Sequence, residues 1–161
     1  RADLDRIVGD VLRMPRDKNQ LQADALKMRD EMAQHKSPKG ALDAKLLRGG
    51  LVDLEFLVHH LQLRDHIALT PDLREAVEAL VDAGLLPAGM AEAHDLMTRL
   101  LVSARLLAPD LALPPPAAAQ ALAKACKSED LPHLLDALTS ARRMVARAWN
   151  EQFGIELEIE G

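Results

Sequence analysis

Asp43-Ala44-Lys45-Leu46-Leu47-Arg48-Gly49-Gly50-Leu51-Val52-Asp53-Leu54-Glu55-Phe56 is the most informative segment of the chain. A double glycine opens directly into an apolar run, which the spacing marks as a helix continuing to about His66. With Leu51 at zero and roughly 100° per residue, Leu54, Leu57, Val58 and Leu61 gather on one broad apolar face. Val52, Phe56 and Leu63 make a second, narrower one. A helix with two apolar faces is packed on both sides, so it belongs in the middle of a bundle. Two polar stripes separate the faces: Asp53, His60 and Arg64 on one side, and Glu55, His59, Gln62 and His66 on the other.

The rest of the chain agrees with a helical class. It has 161 residues, 48% hydrophobic but only 2% aromatic, so Leu, Ala, Val and Met must build the core. That diet suits helices better than sheets. The net charge of -5 supplies no electrostatic footprint for nucleic acid or an acidic membrane surface. The single cysteine, Cys126, leaves no internal disulfide and fits a reducing cytoplasm. Neither a signal peptide nor a long uncharged apolar run is seen. An Arg in first place suggests a chain that begins inside a longer protein.

Working outward, an amphipathic helix is expected over Ala2–Met14, stopped by Pro15, and a second over about Asp17–Lys36 with Leu21, Ala25, Met28 and Met32 as its stripe. Ser37-Pro38-Lys39-Gly40 breaks the chain before the central motif. Thr70-Pro71 reads as an N-cap with proline in the first turn, and Gly84 as that helix's stop. A further helix should cover Pro87 to Ala108, ended by Pro109. Pro114-Pro115-Pro116 is a stiff linker before two last helices, the final one capped by Asp130 and ending near Gly154. The tail Ile155-Glu156-Leu157-Glu158-Ile159-Glu160 alternates with period two and reads as frayed or edge-pairing. The expected class is all-α, a bundle of about six helices. Residues 1–113 carry the bundle with the motif, and 114–161 the C-terminal helices of the same domain with an acidic tail.

Several constellations invite chemistry. Glu55 and His59 are one turn apart with His66 in line, a spacing seen in metal sites, but a structural or solvated polar seam accounts for them more simply. Asp3/Asp5 and Asp53/Glu55 have the two-residue spacing of paired magnesium carboxylates. That spacing works on a strand, whereas on a helix the members diverge by roughly 200°. Cys126 has no His or Asp arranged around it and reads as a buried or idle thiol. No Walker or dinucleotide loop is present. For Gly49-Gly50 two readings stand: a tight turn allowing close helix approach, which is preferred, and an anion-ready corner of free helix amides beside Lys45 and Arg48.

Met28-Arg29, Asp43-x-Lys45 and Gly49-Gly50-Leu51-x-Asp53-Leu54-Glu55-Phe56 together resemble the glutamine synthetase adenylyltransferase family. These bifunctional enzymes add AMP to a tyrosine of glutamine synthetase and remove it by phosphorolysis. The family pattern runs Asp-x-Lys-x-Gly-x-Gly-Gly-Ile-x-Asp-Ile-Glu-Phe, followed by Gln three residues later. Pro15-Arg16-Asp17 and Leu21 fit the helix that leaves the family's nucleotidyltransferase domain. The resemblance is strong from Arg6 to Leu63, looser to Leu107, and beyond the prolines rests on helical character and position. Leu47 stands where the family has its first glycine, and His59 where it has glutamine.

The resemblance implies a helical domain of the second, adenylylating half, at its C-terminal end, with the α/β catalytic domain absent from this chain. In the complete enzyme a Gly-Ser turn and strand-borne acids would hold ATP and Mg. This sequence has no Gly-Ser dipeptide, so no catalytic residue, metal ligand or bound cofactor is assigned to it and the isolated chain is expected to be inactive. Asp43, Lys45, Arg48, Gly49, Gly50, Asp53 and Glu55 are the candidates for the nucleotide cleft or the domain interface. The implied partners are the enzyme's own catalytic domain, glutamine synthetase and the PII signalling protein, in the cytoplasm, with no nucleic acid and no membrane. The alternative is a stand-alone helical module for protein interaction or ligand sensing.

Overall fold

The computed structural model describes residues 18–159. The helix expected over Ala2–Met14, the Asp3/Asp5 pair and Pro15-Arg16-Asp17 lie outside the described residues. Six helices follow one another: α1 Lys18–His35, α2 Leu51–Asp65, α3 Leu73–Asp82, α4 Met90–Leu107, α5 Pro116–Ala125 and α6 Leu131–Phe153. No strand occurs among the described residues, and the all-α expectation holds.

The two-faced helix is α2, and it touches α1, α3, α4 and α6. Its broad face is sealed: Leu54, Leu57, Val58 and Leu61 are fully buried. Each such side chain contributes about 1.5–3 kcal/mol by leaving water. The narrower face, Val52, Phe56 and Leu63, is only half-buried, because α1 covers it in part. On the far side α4 and α6 pack together, with α5 against both. Trp149 of α6 lies at the centre, its ring 4.5 Å from that of Phe153.

Local chemistry sets most boundaries. Asp130 caps α6 by accepting from the His133 amide at 2.9 Å, and Gly154 at φ +68° ends it. Gly84, at φ +77°, lies just past the end of α3. Pro116 is the first residue of α5, where its missing N–H costs nothing. Two expectations need correction. The cap of α3 is Asp72, which accepts from the Glu75 amide at 2.9 Å, while Thr70-Pro71 sits just upstream. Asp72 wins because its carboxylate, three residues before Glu75, reaches the free amide. The tail is neither frayed nor paired as a strand. Past the left-handed Gly154 it carries Leu157 into the core and Ile159 against it, leaving Glu156 and Glu158 outside.

The second polar stripe does structural work at one point. Gln62 is buried, and its amide donates to the carbonyls of Ala68 and Thr70 at 2.6 and 3.2 Å, holding the α2–α3 loop. From the first stripe, His60 is buried with its ring 4.6 Å from Phe153. Its Nδ1 has no hydrogen-bond partner among the described residues. Burial, reinforced by nearby Arg64, lowers its pKa to about 4.

That shift fixes a pH dependence. Above about pH 6.5 the imidazole is neutral in both folded and unfolded chains. Between there and about pH 4 the unfolded chain takes up a proton that the folded one refuses. Stability should therefore fall as pH drops through this window, by at most about 1.4 kcal/mol per unit from this group. Urea unfolding at pH 7, 5.5 and 4.5 should show the decline, and His60→Gln should flatten it. His94, also lowered chiefly by burial, leaves a residual slope of the same sign.

Candidate functional site

Residues 36–50 link α1 to α2, and their course is fixed by backbone contacts. Leu42 donates to the carbonyl of Leu111 at 2.9 Å, tying the linker to the turn after α4. Leu111 itself holds a left-handed φ of +61°. Asp43 is buried, and its carboxylate accepts the Lys39 amide at 3.0 Å and the Leu46 amide at 3.1 Å, an aspartate-centred turn. Its charge thus serves the loop's own backbone.

The double glycine makes the corner. Gly49 has φ +75°, and a Cβ placed on it would lie 2.3 Å from the carbonyl oxygen of Arg142 in α6. A Cβ on Gly50 would fall 2.4 Å from the Ala44 oxygen. Both positions therefore need glycine for space, and Gly49 needs it for its backbone as well. Arg142 completes the contact from the α6 side, donating from Nε to the Arg48 carbonyl at 2.8 Å.

The amides here are not available to an anion. Gly49 donates to Asp53 Oδ2 at 2.8 Å, Gly50 to the Leu47 carbonyl at 2.8 Å, Leu51 to Ala44 at 2.8 Å and Val52 to Lys45 at 3.1 Å. Of the two readings of Gly49-Gly50, the structure supports the tight turn with close helix approach and contradicts the anion-ready corner. Helix-start amides are normally unsatisfied. Here the preceding turn supplies carbonyls to them.

Asp53 and Glu55 part company as helix geometry requires. Asp53 is buried, 4% exposed, and pairs with Arg29 of α1 at 3.0 Å. Glu55 is exposed, on the rim of a groove of about 280 Å³ between α1, the linker and α2. Met32, Leu46, Val52 and Phe56 line its apolar part, and Lys36, Lys45 and His59 stand around it. Lys45 and Arg48 are both exposed. Among the described residues no group of three or more His, Cys, Asp or Glu converges as for a metal ion. Cys126 is buried at the end of α5, and burial raises its thiol pKa.

Arg29 and Arg142 are the partners that reading the sequence did not place at this corner. Met28-Arg29 stood out only as part of a resemblance, and Arg142 lies 94 positions from Arg48. A lone arginine on the buried side of a helix is a weak signal at best.

Fold and site define a helical-bundle domain organised around a glycine-keyed corner, with its chemistry-bearing cations facing outward. No family model matches the chain, and no solved structure matches it. Curated relatives do. Over 156 residues, 91% of this chain, it is 32% identical to the bifunctional glutamine synthetase adenylyltransferase/adenylyl-removing enzyme of Brucella suis biovar 1. It is 35% identical over 146 residues to the enzyme of that name from Stenotrophomonas maltophilia, and 41% identical over 93 residues to that from Caulobacter vibrioides. The chain spans 16% of the Brucella and Stenotrophomonas relatives and 9% of the Caulobacter one. The resemblance carried by Asp43–Phe56 is thereby borne out: the chain is similar to one segment of the glutamine synthetase adenylyltransferase/adenylyl-removing enzymes.

Two glycine variants separate backbone strain from close approach. Gly84→Ala faces a left-handed φ with nothing within 4 Å, and should cost about 1 kcal/mol. Gly49→Ala faces a similar φ and the Arg142 backbone, and should cost more than twice that. Thermal or urea unfolding of the two variants measures the difference. Equal losses would show that α6 does not press on Gly49.

Proposed function

We propose that this chain is a helical accessory domain of an enzyme that adenylylates and deadenylylates glutamine synthetase. The observation that carries the reading is the match of 91% of the chain to one short segment, 16%, of such an enzyme. The geometry of the corner fits a supporting part. Its two buried carboxylates are spent on the loop backbone and on Arg29, and Gly49 through Val52 have their amides paired within the fold. In this reading ATP and Mg are held by an α/β catalytic domain elsewhere in the complete enzyme. The bundle closes one side of that domain's cleft, at the end of the adenylylating half, and helps to contact glutamine synthetase and the PII signalling protein in the cytoplasm.

Asp43, Gly49, Gly50 and Asp53 then shape the corner, while Lys45, Arg48 and Glu55 are presented by it. In the complete enzyme Lys45→Ala and Arg48→Ala should each lower adenylylation of glutamine synthetase about fivefold, the loss of about 1 kcal/mol of contact energy. Both are exposed, so helix content should not change. Transfer of radiolabel from ATP to glutamine synthetase measures the rate. The isolated chain should transfer none. Unchanged rates in both variants would remove the corner from the reaction, and turnover by the isolated chain would overturn the reading as an accessory domain.

A further inference from the structure

The linker between α1 and α2 carries a charge opposite to that of the chain. Residues 36–50 hold Lys36, Lys39, Lys45 and Arg48 against the single carboxylate Asp43, in a chain of net charge -5. All four cations are exposed, and none is paired with a carboxylate among the described residues. Asp43 is buried and bound to the loop's own amides. Two of these cations, Lys36 and Lys45, line the groove whose apolar part is Met32, Leu46, Val52 and Phe56, all half-buried. Unpaired cations beside an open apolar floor make a local surface that favours negative charge and an apolar side chain together.

We propose that this groove receives an acidic polypeptide segment, seating one apolar side chain on Phe56 and Val52 with flanking Asp or Glu side chains toward Lys36 and Lys45. A phosphate-bearing small molecule fits less well. A phosphate site draws its strength from converging backbone amides, and the amides of residues 49–52 are all donated within the fold. Only flexible lysines remain, and these suit carboxylates spaced along a chain. Glu55 and His59 of α2 line the same groove as Lys36 and Lys45, so the segment's acidic side chains turn to the two lysines and its backbone N–H groups are left to Glu55. The inference builds on the reading of this corner as an interface. It does not depend on which enzyme the chain belongs to.

The test is an amide-resonance NMR titration of the 161-residue chain with a blocked peptide of one leucine flanked on each side by two glutamates. Resonances of Leu46, Val52 and Phe56 should move, with those of α5 unaffected. The peptide with glutamine for every glutamate should bind roughly tenfold more weakly, and so should the glutamate peptide to the chain bearing Lys36→Glu and Lys45→Glu. Both substitutions are exposed, and an unchanged spectrum for α3 to α6 confirms that the variant is folded. Equal affinity of the two peptides, or of the two proteins, would overturn the proposal. So would inorganic tripolyphosphate moving the same resonances at lower concentration than the peptide. Adenylylation is not read in this experiment, so its failure would leave the enzyme assignment standing.

Discussion

Everything at the glycine corner of this bundle depends on how closely Gly49 lies to the backbone of α6. The Arg142 carbonyl occupies the space that any side chain at position 49 would take. The Arg142 side chain in turn donates from Nε to the Arg48 carbonyl, so a side-chain hydrogen bond joins the linker to the middle of a 23-residue helix at the point of close approach. Because α6 also packs against α2, α4 and α5, this one contact fixes the linker relative to the whole core. The Arg29–Asp53 pair and the Leu42–Leu111 bond extend that fixation to α1 and to the turn after α4.

The consequence is a division of labour within fourteen residues. Buried members hold the turn together, and the amides of Gly49 to Val52 are consumed within the fold. What the corner offers outward is side chains: Lys45, Arg48 and Glu55, with Lys36 on the same groove as Lys45 and Glu55. A rigid loop that displays cations beside an apolar floor is suited to docking another surface. The amides of Gly49 to Val52 are donated within the fold and are not offered to a ligand. This agrees with a segment that resembles a small part of much longer enzymes.

Much of this was legible in the sequence where the signal is local. The two faces of α2, the Asp130 cap and the Gly154 stop each follow from residues a turn or two apart. Thr70-Pro71 misled because Asp72, two residues on, offers a better acceptor to the Glu75 amide. The alternating tail misled because period two records only that Leu157 and Ile159 share a side. It does not say whether a strand or a helix covers them. At the corner, the need for glycine was legible, but its reason was not. The atoms that crowd Gly49 belong to Arg142, far along the chain, and long-range partners leave no spacing to read. The free-amide reading failed for a related cause: nothing in the composition of 43–48 shows that its carbonyls fold back onto residues 50–52.

Hydrogen exchange at the start of α2 reports whether the glycine corner is closed. First-turn amides of a helix ordinarily exchange quickly, for want of acceptors. If the corner is closed as described, the amides of Gly49, Gly50, Leu51 and Val52 will be protected nearly as well as that of Leu57 in the helix interior. If those four exchange at free-chain rates while Leu57 stays protected, the corner is open and the account is wrong.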